Sequence, residues 1–104
     1  MGEGAVRMEV IIFGKVKCGK CKGAQKRVNV LIEKMGLNSS VPVRFVDLES
    51  VDGRAEGAFH DVYDAVPVTI IQSAGENLHR WEGVMPKTDE MKPFFERVNG
   101  ATAD

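Results

Sequence analysis

Residues 10–35 read VIIFGKVKCGKCKGAQKRVNVLIEKM, and the way this stretch divides decides the fold. Val10, Ile11, Ile12 and Phe13 form an unbroken apolar run that stops at Gly14, which predicts a strand over residues 6–13. Because the run is apolar on both faces, the strand belongs in the interior of a sheet covered on both sides. From Cys18 to Met35 the spacing changes. Ala24, Val28, Leu31, Ile32 and Met35 recur on one side of a helix, with the lysines, Arg27 and Glu33 mostly elsewhere, and Gly36 ends it. A buried strand that feeds a long amphipathic helix is the opening of a βαβ unit.

The rest of the chain extends this order. SSVPVRFVDL predicts a second strand that alternates through Val41, Val43, Phe45 and Leu48. Asp52 is placed to cap a short helix whose apolar side is Ala55, Phe59 and Val62, although Gly53 and Gly57 weaken its propensity. A strand over residues 68–72 follows Pro67, and Ser73-Ala74-Gly75 turns into another over residues 76–81, a hairpin. Met91, Phe94, Phe95 and Val98 then carry the spacing of an amphipathic helix, with Pro93 fitting only its first turn or a kink. Residues 100–104 read as a flexible tail. The chain is expected to be one α/β domain over residues 1–104. Its order, βαβαββα, predicts a four-stranded mixed sheet flanked by three helices, with parallel crossovers first and an antiparallel hairpin last.

Composition narrows the function. With 104 residues and a formal net charge of -1, the chain has no basic excess of the kind that phosphate backbones attract, so no nucleic-acid partner is expected. Its longest apolar runs, VIIF and AVPVTII, are far shorter than the roughly 18 residues of a membrane span, and the N-terminal stretch lacks a secretory pattern. A monomer in the cytoplasm is the expectation, and there a pair of cysteines is more often catalytic or metal-binding than structural.

Both cysteines fall in KVKCGKCKG, residues 15–23, among four lysines. Cys18-Gly19-Lys20-Cys21 lies where strand gives way to helix, the context of a redox C-x-x-C. A sulfur at the helix cap faces unpaired N–H groups of the first turn, which favour the thiolate, and Lys15, Lys17, Lys20 and Lys22 add attraction. Cys18 is therefore the expected nucleophile and Cys21, one turn inside, the resolving thiol. Lys20 between the sulfurs is expected to favour the reduced side of the couple. The rival reading is a binding module. Two thiolates supply half of a tetrahedral zinc or iron–sulfur site, and with no second C-x-x-C, and His60 and His79 in separate elements, such a metal would bridge two chains. No metal within one chain is expected.

Across nearly its whole length the sequence resembles the thioredoxin and glutaredoxin superfamily. VIIFGKVKCGKC with its long helix is similar to a glutaredoxin, where a lysine, here Lys15, commonly stands three positions before the first cysteine. VYDAVPVTIIQSAGENLHRWEGVMPKTDEMKPFFERV is similar to the back half of a thioredoxin. The resemblance implies a thioredoxin-like fold and a cis Val66–Pro67 bond beside the cysteines, with the Val66 backbone free to pair with an extended substrate. It also implies thiol–disulfide oxidoreductase activity through a Cys18–Cys21 disulfide, no tightly bound cofactor, a disulfide-containing target and an upstream reductase.

The sequence departs from both patterns. Lys17 replaces the tryptophan that usually precedes the first cysteine of a thioredoxin, Gly19-Lys20 replaces Gly-Pro, and Ile12 stands where the buried acid would be. SAGENLHRW lacks the glycine-rich turn and acid with which glutaredoxins hold glutathione. Lys15 and Val66 are then the remaining contacts for glutathione, and Lys17 and Lys20 point to an acidic partner.

Overall fold

The computed structural model describes residues 7–102, with side chains as far as Val98. Met8–Gly14 form strand β1, whose Val10, Ile12 and Phe13 are fully buried, as an interior strand requires. Val6, expected to open this strand, lies outside the described residues. Gly19–Lys34 form helix α1, and Val43–Asp47, Val68–Ser73 and Glu76–Glu82 form β2, β3 and β4. Helices α2, Val51–Phe59, and α3, Thr88–Thr102, complete the order βαβαββα. The sheet is mixed and runs β2-β1-β3-β4. β1 pairs parallel with β2 and antiparallel with β3, and β3 pairs antiparallel with β4. Only the first crossover, through α1, is thus parallel: α2 returns the chain to a β3 that runs opposite to β1. None of the described helices is long and apolar enough to cross a membrane.

The helices cover both faces of the sheet unequally. On one, Ala24, Val28, Leu31 and Ile32 of α1 and Met91, Phe95 and Val98 of α3 pack over Val10, Ile12, Ile71 and Trp81. On the other, Ile11, Phe13, Val46, Leu48, Val62, Val68 and Ile70 form a smaller cluster. Leu48, one residue past β2, therefore faces away from Val43 and Phe45, because an odd separation along an extended chain reverses the side.

Helix α2 corrects the sequence reading. Its cap is Ser50, whose Oγ accepts the Gly53 N–H at 2.9 Å, and not Asp52. Ala55 is exposed, Phe59 is 82% exposed, and Val62 is buried but beyond the helix end. The buried side is Gly53 and Gly57, one turn apart. A Cβ on Gly53 would stand 1.7 Å from the Asp47 carbonyl oxygen, and one on Gly57 would stand 2.7 Å from Leu48 Cδ2. The glycines that lower helix propensity are thus what lets the helix backbone lie against the β2 exit.

The hairpin turns on Ala74 and Gly75, with φ of 52° and 82°, the pair of positive angles that a two-residue turn of the primed type uses. Pro93 sits inside α3, past its first turn, and lacks the N–H that would bond back toward Asp89. The helix runs on through Thr102, into the stretch expected to be a tail; residues 103 and 104 lie outside those described.

One core position holds an unmatched polar group. Thr69 is fully buried between Ile12 and Trp81, and its Oγ1 has no hydrogen-bond partner among the described residues. Burying an unpaired hydroxyl costs about 1–3 kcal/mol, so Thr69→Val, which keeps the shape, should stabilise the fold by about 1 kcal/mol. In urea the midpoint should rise with an unchanged slope; a fall would show that the hydroxyl has a partner.

Candidate functional site

Lys15 through Lys17 turn the chain from β1 into α1, closed by the Cys18 N–H donating to the Lys15 carbonyl at 3.1 Å. Cys18 then takes the cap of α1, with extended angles of -87° and 118°, and its carbonyl accepts the first helical hydrogen bond from Lys22 at 3.1 Å. Its Sγ accepts the Cys21 N–H at 3.1 Å, the bond that a capping oxygen normally takes. Sulfur therefore sits where α1 presents its unpaired amides, and no acidic side chain in the first turn competes for them.

Both cysteines are free thiols, in unlike surroundings. Cys18 is partly exposed and Cys21 fully buried. The Cys18 thiol is held below the ordinary value chiefly by the Cys21 thiol, which donates to it. Burial pushes the other way, and the amides of Cys21 and Lys20 and the Lys20 ammonium add to the lowering. The Cys21 thiol is pushed up to about 11, first by burial and then by its bond to Cys18, with the Lys15 amide opposing. The lowered value of Cys18 and the raised value of Cys21 favour negative charge on the accessible sulfur over the buried one.

Gly14 makes this arrangement possible. A Cβ there would stand 2.6 Å from Cys21 Sγ and 3.3 Å from the Phe45 ring, so the buried sulfur lies directly on the end of β1. The register of β1 with β3 matches Phe13 with Val68, and one further step sets Gly14 beside Pro67. The Val66–Pro67 peptide is cis, Pro67 is buried and Val66 half-buried. The Pro67 carbonyl accepts the Gly83 N–H at 2.8 Å, which ties it to the exit of β4. Cysteines and proline, far apart in the chain, thus share one end of the sheet.

Lys15, Lys17 and Lys20 are all exposed on this end. Lys20 is the lysine whose charge acts on Cys18, while Lys15 also acts through its backbone, as acceptor to Cys18 and amide toward Cys21. Lys15 lines a cleft of about 480 Å³ together with Leu48, Glu49, Arg54, Val62, Tyr63 and Asp64. The histidines sit in aromatic contacts, His60 with Phe13 at 5.5 Å and His79 with Trp81 at 4.3 Å. Among the described residues no three His, Cys, Asp or Glu side chains converge as a metal site would require.

The sequence reading missed Gly14 and Gly83. Each read as a strand end; that one receives a sulfur and the other bonds the proline carbonyl depends on contacts across the sheet.

No protein-family model matches the chain, and no curated protein matches it in sequence. Solved structures do match its fold. Thioredoxin O2 from Arabidopsis thaliana, in its oxidized state, superposes with a TM-score of 0.69 at 21% identity over 91% of this chain and 76% of that one. Fasciola hepatica thioredoxin gives 0.65 at 19% identity, covering 91% and 84%. Thioredoxin 1 from Thermosipho africanus gives 0.67 at 17%, covering 92% and 99%. The chain has a thioredoxin-like fold, with a C-x-x-C pair at the start of its first helix.

Proposed function

We propose that the protein is a thiol–disulfide oxidoreductase working through Cys18 and Cys21. The observation that carries this reading is the asymmetry of the pair: a partly exposed sulfur at a helix cap, accepting the Cys21 amide and held below the ordinary thiol value, beside a buried thiol pushed above it. The resemblance to thioredoxins in fold agrees with it.

On this reading the Cys18 thiolate attacks one sulfur of a target disulfide. A Cys18–target bond forms, the target S–S bond breaks, and the second target sulfur leaves as a thiolate that takes up a proton. Cys21 then loses its proton and attacks Cys18 Sγ. The mixed disulfide breaks, the first target sulfur leaves, and a Cys18–Cys21 disulfide remains. Two electrons have passed to the target, and an upstream dithiol reductase restores the pair. Charge on Cys18 lowers the barrier of the first step. The raised pKa of Cys21 slows the second step; forming the mixed disulfide removes the hydrogen bond and charge of Cys18, which are lesser causes of that rise, while burial, the first cause, remains.

Val66 and Pro67 would line the target strand up with Cys18, the half-buried Val66 offering backbone groups to an extended segment. Lys15, Lys17 and Lys20 would form the rim that the target crosses, with Lys20 supporting the thiolate. Lys15 and the Val66 backbone would likewise be the contacts for glutathione if it serves as a reductant.

The test is turnover of a protein disulfide with a chemical dithiol as regenerant. Cys18→Ser should lower the rate at least about a thousandfold, to the level of the dithiol alone, since a hydroxyl supplies no thiolate at neutral pH. Turnover retained in Cys18→Ser would refute this assignment of the nucleophile.

A further inference from the structure

Helix α1 is charged in a way that its own stability does not explain. Residues 15–34 carry half of the chain's 14 Lys and Arg side chains and, of its 15 acidic ones, Glu33 alone. Lys20 and Lys22 stand in the first turn, the end of a helix where a positive charge is unfavourable. Lys20 there acts on Cys18, but Lys26, Arg27 and Lys34, further along the same helix, lie beyond that role.

Beside this helix runs a groove of about 370 Å³ between α1 and the loop from β4 to α3. Its floor is apolar: Val30, 38% exposed, Leu31 and Met85. Its rim is Lys26, Arg27 and Lys34, with no carboxylate in the lining. The loop is fastened to the helix, because Arg27 Nη1 donates to the Pro86 carbonyl at 3.2 Å and Met85 packs over Gly23. The groove is therefore formed before anything binds. Every ion pair among the described residues belongs to Arg44 or Arg80, so Lys26, Arg27 and Lys34 have no carboxylate partner there. Gly23, where the groove opens, lies five residues along α1 from Cys18, about 7 Å of helix rise.

We propose that this groove docks an acidic segment of the target protein, one that presents a large apolar side chain to Val30 and Met85 and its Asp or Glu side chains to Lys26, Arg27 and Lys34. The proposal rests on the oxidoreductase reading only in assigning the segment to the disulfide-bearing target. The apolar floor favours a peptide over a nucleic acid, whose backbone would use the cations and leave Val30 and Met85 without a partner. Charge on the rim would steer encounter, and the floor would hold the complex while the sulfurs exchange.

The experiment uses the full chain made redox-silent by Cys18→Ser and Cys21→Ser, so that docking is measured without chemistry. The probes are a fluorescent peptide of alternating Glu, Leu, Asp and Phe, its amide analogue with Gln and Asn for the acids, and a single-stranded oligonucleotide of the same net charge. Anisotropy at low salt should show the acidic peptide bound at least about tenfold more tightly than its amide analogue. Lys26→Glu with Lys34→Glu should weaken it at least about tenfold, and so should Val30→Asp. Equal binding of the two peptides, or binding indifferent to Val30→Asp, would overturn the proposal. An oligonucleotide bound as tightly as the acidic peptide would also overturn it, in favour of a general polyanion surface. In parallel, reduction of a small neutral disulfide by the chain with both cysteines present should be the same with and without Lys26→Glu/Lys34→Glu. A lack of that activity in the unmodified chain counts against the oxidoreductase reading and leaves the docking result standing.

Discussion

On the proposed oxidoreductase reading, Cys21→Ser mixed with a target disulfide should accumulate a covalent adduct through Cys18 and turn over at least about a hundredfold more slowly than the unmodified chain. The first attack needs only the capped thiolate at Cys18, which keeps the residue 21 amide as donor because that hydrogen bond comes from the backbone. The second attack needs a sulfur at position 21, and a serine hydroxyl cannot displace the target. Mass spectrometry after acid quenching reads the adduct, and reducing agent should release it. The first step should slow somewhat, because the Cys21 thiol is the largest cause of the lowered Cys18 value and serine replaces it with a different donor. The control is Cys18→Ser, which keeps the buried thiol alone and should form no adduct. Capture through Cys21 in that control would invert the assigned roles.

Gly53→Ala should be the most damaging single methyl group in the molecule. The new Cβ would meet the Asp47 carbonyl oxygen at 1.7 Å, its carbon at 2.6 Å and Ser50 Oγ at 2.7 Å. Two of these atoms are backbone at the end of β2, and the third is the cap of α2, so relief requires lifting the helix off the sheet. Overpacking costs about 1–3 kcal/mol where side chains can yield, and more is expected where backbone must. Against a total stability of about 5–15 kcal/mol, a loss of about 3 kcal/mol or more should lower Tm by at least about 12 °C. Gly19→Ala is the matched control: nothing lies within 4 Å of its Cβ position, so Tm should hold or rise slightly. If both substitutions left Tm alike, α2 would not rest on the sheet through its glycine face.

The contrast between these two glycines shows what could be read in the chain. β1 and α1 were legible because their signals are periodic and local: a run apolar on both faces, then apolar residues on one helical side. The C-x-x-C at their junction was legible for the same reason, since a helix start fixes where a sulfur will stand. Helix α2 misled because its packing inverts the usual pattern. Where glycines make the contact, Ala55 and Phe59 carry the apolar spacing yet face solvent, and Ser50 caps two residues earlier than Asp52 would. Leu48 misled by parity, since Phe45 and Leu48 lie on opposite faces of the sheet. Gly14 against Cys21, Gly83 against Pro67 and Thr69, whose hydroxyl has no partner among the described residues, are tertiary facts, set by which strands become neighbours. The direction of the second crossover belongs with them: turn residues say that the chain returns, and the sheet order says to which side.

The central claim is that the two thiols divide their work by acidity, Cys18 charged and Cys21 holding its proton. Site-resolved alkylation of the reduced chain across pH tests it most directly. A lowered pKa keeps Cys18 charged to lower pH than an ordinary thiol, so its alkylation should rise at lower pH than that of a free cysteine. A raised one keeps Cys21 protonated, so it should react only as pH approaches about 11. If the two cysteines titrated together at the ordinary thiol value, or Cys21 reacted at the lower pH, the division of roles would be contradicted.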